Sequence, residues 1–244
     1  MRRLLTAVAT AFLACSAMWS DTLSPAAARV AAAEKRVAST PKSWEAYNDL
    51  AFALCRLARD TGDISLYEKA DAALHRSLEL APGNYEAQKL TVTTLLGKHD
   101  LEGARKLAVE LNHKVPDDIG GWGLLVDVYI ALGKYDEAER AAQWILDLRA
   151  GSTLGFVKAA ALRDIFGDPE GAAEFYEEAL KRTARSDVDE QAWLLTQDAH
   201  EVFAMGKPER AQELLKRALT LFPDSRLALA GMAAIQSAPA RASR

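Results

Sequence analysis

Ala70, Ala104, Ala138 and Ala172 lie 34 residues apart, and Pro82 and Pro116 keep the same interval, each 12 residues after its alanine. Ala211 and Pro223 repeat the 12-residue offset after a five-residue insertion. A chain that repeats every few tens of residues is built from units that cannot bury their apolar faces alone, so successive units must stack. This period excludes most ways of building a core before any other feature is weighed.

Each unit reads as a pair of helices. In the clearest, Trp122, Leu125, Val126 and Tyr129 recur at helical spacing and fall on one face. Gly133 stops that helix, Lys134-Tyr135-Asp136 forms the turn, and Ala138, Ala142 and Ile145 mark one face of a second helix. Two helices approach closely only where one offers a small side chain at the crossing, which is the physical use of the spaced alanines. Alanine and leucine dominate a chain that is 50% hydrophobic and only 7% aromatic, so little favours strands.

The unit 119–152 resembles the tetratricopeptide repeat (TPR), whose pattern is W-x2-L-G-x2-Y in the first helix, G and Y at the turn, then alanines and a closing proline. It carries Trp122, Leu125, Tyr129, Gly133, Tyr135 and Ala138, and departs from the pattern at Val126 and Ala150. The unit 85–118 carries Leu95, Ala104, Ala108 and Pro116, with Gln88 in the tryptophan position. The unit 153–186 carries Phe156, Ala160, Gly167, Ala172, Tyr176 and Ala179. The unit 187–225 carries Leu195, Ala199, Val202, Gly206, Ala211, Leu215, Ala218 and Pro223. The unit 43–84 carries Tyr47, Leu50, Ala51, Leu54, Ala70, Leu74, Ser77 and Pro82 around a longer turn. The resemblance implies an all-α, right-handed superhelical solenoid of about five helix-turn-helix repeats over residues 43–236. A capping helix, 226–236, would cover the last apolar face with Leu227, Leu229, Met232 and Ile235.

The two ends of the chain read differently. Arg2 and Arg3 precede an uncharged run from Leu4 to Ser20, the composition of an export signal and short for a membrane span of ~20 residues. Ala11 to Cys15 resembles a lipoprotein lipobox, which implies acylation at Cys15. Cys15-Ser16-Ala17 and Ala26-Ala27-Ala28 fit ordinary signal cleavage instead. These alternatives stand beside an uncleaved anchor or a cytoplasmic protein, with export to the periplasm or a lipid-anchored place in a bacterial envelope favoured. Residues 21–42, rich in Ala, Ser, Thr and Pro, read as a spacer; Ala26 to Ala38 could be helical but would pack weakly through methyl groups. Residues 237–244 read as a disordered tail.

The sequence offers little chemistry. Net charge is 30 − 34 = −4 with both signs interspersed, which excludes the basic stripe of a nucleic-acid binder. Two cysteines and four histidines show no metal-site spacing, so no metal and no cofactor is expected; Cys55 reads as a buried structural thiol. No phosphate loop, H-E-x-x-H pair or nucleophile elbow occurs, and Gly120-Gly121-Trp122-Gly123 opens a helix without a preceding strand. The acids Asp117-Asp118, Glu177-Glu178 and Asp187/Asp189/Glu190 read as helix starts and solvated faces. A catalytic role is not expected.

The resemblance implies a concave groove lined by the first helices. At the matching positions stand Asn48, Phe52, Lys89, Thr93, Leu96, Asp127, Ile130, Val157, Asp164, Trp193, Thr196, His200 and Phe203. Their apolar members form a strip that a soluble monomer rarely leaves bare. Family members that clamp C-terminal carboxylates do so with Lys, Arg and Asn on successive first helices. Asn48, Lys89 and Lys158, with Gly123 and Leu124 between them, leave that clamp incomplete. The expected function is an interaction scaffold that holds a peptide or helix of another protein. Self-association of the array is the competing reading, and an enzyme on a helical scaffold a distant third.

Overall fold

A computed structural model describes residues 24–237, and the described chain contains twelve α-helices and no strand. They are α1 (Pro25–Ser39), α2 (Trp44–Thr61), α3 (Ser65–Leu80), α4 (Tyr85–Gly97), α5 (Leu101–Lys114) and α6 (Ile119–Ala131). They continue with α7 (Tyr135–Leu148), α8 (Thr153–Ile165), α9 (Pro169–Arg182), α10 (Val188–Ala204), α11 (Pro208–Leu221) and α12 (Arg226–Ser237). Helices α2 to α11 form five successive hairpins, stacked so that each second helix packs on the next first helix.

Local sequence sets the helix starts. Ser43, Asn84, Asp100, Asp118, Ser152 and Asp168 each accept a backbone N–H from the first turn that follows, satisfying donors that have no partner within the helix. Tertiary packing then follows the period. Ala70, Ala104, Ala138, Ala172 and Ala211 are all fully buried where the two helices of each hairpin cross. A second series at the same interval, Ser77, Leu111, Ile145 and Ala179, is equally buried and fills the space about two helical turns further on.

The turn between the helices of a hairpin needs one left-handed residue. Gly133, Gly167 and Gly206 supply it at φ of 70°, 76° and 74°, and His99 occupies the equivalent place in the second hairpin at φ 62°. A side chain in that conformation costs on the order of 1 kcal/mol that glycine does not. His99→Gly is therefore expected to raise the midpoint of thermal unfolding by about 2–4 °C, read by circular dichroism; an unchanged or lower midpoint would refute the strain.

Two parts of the chain depart from expectation. Residues 25–39, read as spacer, form α1, which buries Ala26, Val30 and Ala33. Their small side chains let α1 sit close against α2, with Val30 and Ala33 in the core of the first hairpin and Ala26 in that of the fifth. In α12, Met232 and Ile235 pack on the fifth hairpin as expected, with Ala228 buried, but Leu227 and Leu229 stay 41% and 48% exposed. The methyl of Ala228 and the bare Gly231 make the close approach, so the flanking leucines fall on the outer face.

Consequently the ends of the array meet. Helix α1 touches α10, α12 touches α2, and Arg226 donates a hydrogen bond to the Thr61 carbonyl at 2.7 Å. The five hairpins close on themselves.

Candidate binding groove

The first helices α2, α4, α6 and α8 pack side by side in sequence, but α8 and α10 do not close up in the same way. Instead α10 is carried toward α2. Helix α10 has 17 residues where α8 has 13, about one extra turn. That turn lies at its N-terminus and holds Asp189 and Glu190.

These acids meet arginines from the opposite end of the chain. Arg56 Nη2 lies 3.0 Å from Asp187, 2.8 Å from Asp189 and 3.1 Å from Glu190. Arg29 reaches Asp187 at 2.8 Å and Asp189 at 2.9 Å, and Arg59 donates to Glu190 at 2.9 Å. Asp189 is wholly buried, and the guanidinium nitrogens approach its oxygens off the N–H directions, so it is held by ion pairing without a directed hydrogen bond. Burial opposes ionisation of Asp187, but the hydrogen bond and charge of Arg56 and the charge of Arg29 outweigh it and hold that carboxyl below its usual range. Asp60 is pushed the other way, by burial first and by the charge of Asp189, against Arg59 and Arg56. The acids read as solvated thus form a charged seam between the first and fifth hairpins.

The seam bounds an open cavity of about 820 Å³. Six of the residues expected in the groove line it together: Phe52, Asp127, Ile130, Val157, Asp164 and Trp193. Phe52 is 49% exposed, and the Arg56 guanidinium stands over its ring at 5.7 Å. Arg59 stacks over Trp193 at 4.7 Å, and Trp193 meets the Tyr176 ring edge-on. Tyr176 of α9, itself buried, lies at the floor of the cavity. Sequence reasoning missed Arg56, Arg59, Glu190 and Tyr176, although Arg56 and Arg59 fall four and seven residues after Phe52, on the same helix face.

A second recess of about 460 Å³ lies further along α10. Thr196, His200 and Phe203 line it, and Asp164 borders both recesses. Thr196 is buried and donates to the Ala192 carbonyl, leaving mainly its methyl for contact. Next to His200, Glu201 is 1% exposed; burial, then the charges of Asp164 and Asp198, push its carboxyl up to about 7.

The other four expected residues lie outside both recesses. Asn48 is buried in a polar knot: Ser77 donates to its Oδ1 at 2.7 Å, and Asn84 donates to Ser77 at 2.9 Å. Lys89 is tied to Glu86 and Asp118, while Thr93 and Leu96 are half-buried on α4. Lys158 pairs with Asp127 at 2.6 Å, so all three possible clamp residues are already engaged. Cys55 is buried, and desolvation followed by the charge of Asp71 pushes its thiol up to about 12, as suits a structural thiol. Cys15 lies outside the described residues.

The fold that these hairpins build is the TPR-like solenoid. The chain superposes on TTC0263, a thermophilic TPR protein of Thermus thermophilus, with a TM-score of 0.63 and 18% identity over 76% of this chain and 99% of that one. A chain of the APC/C hetero-tetramer Cut9–Hcn1 matches with a TM-score of 0.64 and 14% identity, over 86% of this chain and 40% of that one. PilW, described as a widely conserved type IV pilus biogenesis factor, matches at 0.50 with 16% identity, over 83% and 88%. At these identities the likeness concerns the fold. No family model and no curated protein matches the sequence.

Proposed function

We propose that the protein is a non-catalytic interaction scaffold that holds an extended or helical segment of a partner protein in the larger cavity. The exposed ring of Phe52 carries the reading. It stands at the mouth of an open, mainly apolar hollow, beside Ile130, Val157 and Trp193, with Arg56, Arg59 and the Asp127–Lys158 pair at the rim. Apolar side chains of a partner would gain from leaving water here, and the rim charges would set direction and register. The Cut9–Hcn1 assembly, in which a chain of similar fold is part of a hetero-tetramer, is consistent with such a role.

Peptides selected from a random display library against the full chain test this. Phe52→Asp should weaken a selected peptide at least ~10-fold, as a buried anchor residue does. Leu148→Asp, on α7 away from the cavity, should leave it unchanged. Peptides that bind both variants equally would remove the groove from consideration. A mass that depends on protein concentration, and is reduced by Phe52→Asp, would favour self-association instead.

The same reading places the scaffold outside the cytoplasm. Arg2, Arg3 and the uncharged run to Ser20 support export, and acylation of Cys15 would tether the repeats to a membrane. Among the described residues no helix is long and apolar enough to cross a membrane. Mass spectrometry of the mature N-terminus should find acylated Cys15; a free terminus at Met18 or Arg29 would eliminate the anchor. The fold shared with PilW, a pilus biogenesis factor, is consistent with an envelope setting.

A further inference from the structure

We propose that Asp164, His200 and Glu201 form a binding site for a divalent first-row transition metal, with Zn²⁺ the best fit, which ties α8 to α10 where the inner wall of the groove is open. One ligand atom from each residue lies within 4.8 Å of the other two. Asp164 comes from the last turn of α8, and His200 and Glu201 come from α10, so a shared ion would bridge the two first helices that lack close contact.

Glu201 points to a ligand independently of the cluster. It is 1% exposed, yet its Oε2 is buried without a hydrogen-bond partner among the described residues. Burying a carboxylate without a compensating partner costs several kcal/mol. Among the described residues no lysine or arginine pairs with Asp164 or Glu201 and none lines the smaller recess; Lys158, in the larger cavity that Asp164 also borders, is taken by Asp127. The C-terminal end of α8, where Asp164 sits, adds the negative end of the helix dipole. Three anionic contributions therefore converge on one imidazole, and a metal ion would satisfy them together.

The donor set selects the ion. Imidazole nitrogen suits Zn²⁺, Cu²⁺, Fe²⁺ and Ni²⁺, whereas Mg²⁺ and Ca²⁺ prefer oxygen alone. Ligand bonds of about 2.0–2.2 Å put donor atoms roughly 3–3.5 Å apart, so Asp164 and His200 must swing inward by about an ångström. Both are exposed and can do so at little cost. Buried Glu201 is the fixed point. Three protein ligands leave a coordination position open to the recess, available to water or to a donor atom of a bound partner.

Tag-free full-length protein, freed of metal with a chelator, is titrated with ZnCl₂ by calorimetry and, in parallel, with Co²⁺ by visible absorption. We expect one equivalent to bind, with His200→Ala and Glu201→Gln each weakening binding at least ~10-fold. Asp164→Asn, at an exposed position, should do the same without disturbing the fold. Without metal, Glu201→Gln should melt at or above the unaltered chain, because an unpartnered buried charge is gone. With saturating Zn²⁺ only the unaltered chain should gain stability. Absence of stoichiometric binding, or binding that survives His200→Ala and Glu201→Gln, would overturn the site. Neither result bears on peptide capture by Phe52.

Discussion

Replacing Arg56 with methionine should lower the midpoint of thermal unfolding by on the order of 10 °C. Methionine keeps much of the side-chain volume and removes the charge, so the change isolates the ion pairs. Asp189 is wholly buried and, among the described residues, only Arg56 and Arg29 lie within ion-pairing distance of it. Removing one partner of a buried pair leaves the other uncompensated, at a cost of about 3–5 kcal/mol. Arg29 remains 2.9 Å from Asp189, which places the expected loss at the lower end of that range. For a chain of this size each kcal/mol moves the midpoint by roughly 2–4 °C. The control is Arg36→Met: Arg36 and Asp49 are 54% and 49% exposed, and such surface pairs contribute ~0–1 kcal/mol. Solution scattering should also show a larger radius for the Arg56 variant, because the seam joins hairpins 131 residues apart in sequence. Equal melting of Arg56→Met and the unaltered chain would mean that apolar contacts alone hold the ends together.

That seam marks where the sequence stops being readable. The period predicted the hairpins because each unit repeats the same local problem: a glycine at the turn and a small residue at the crossing. His99 shows how far the pattern governs, since it adopts the left-handed conformation that glycine takes at the equivalent turns. The five-residue insertion before the fifth unit was visible as a break in spacing. Its effect, one extra turn at the start of α10, follows from helix geometry. Its destination does not, because contact between α10 and α2 depends on the curvature accumulated over the intervening hairpins. For the same reason Asp189 looked like a solvated helix-start acid. Nothing within several residues of it distinguishes an exposed first turn from one turned against Arg56.

The groove was legible in part for a related reason. Residues deduced by register on α6, α8 and α10 do line the cavity, where the first helices face a common space. On α2 and α4, register placed Asn48 and Lys89 beside their own neighbours: Asn48 in the Ser77–Asn84 knot and Lys89 against Asp118. A polar residue at a groove position is free only if no adjacent hairpin offers it a partner, and that depends on side-chain reach. The candidate metal ligands were harder still. His200 and Glu201 are adjacent, whereas metal-site patterns on helices usually space ligands three or four apart. The third donor comes from a different hairpin.

The alanine that first exposed the period should also be the least replaceable residue of its repeat. Ala138 is fully buried in the central cluster with Leu125, Val126 and Val128 of the preceding helix. Leucine there adds three carbon atoms at the crossing of α6 and α7, where the two backbones approach most closely. Overpacking a tight site costs about 1–3 kcal/mol, occasionally more. Ala138→Leu should reach the top of that range, because neighbours on both sides are themselves fixed by the next hairpins in the stack. The expected fall in midpoint is ~6–12 °C. Ala131→Leu in the same repeat, at an exposed position, should change stability by no more than about 0.5 kcal/mol. The contrast separates crossing geometry from helix propensity, since both positions are helical and leucine is nearly as good a helix former as alanine. If Ala138→Leu melts with Ala131→Leu, the helices of the hairpin are not in close contact and the 34-residue alanine series records something other than packing.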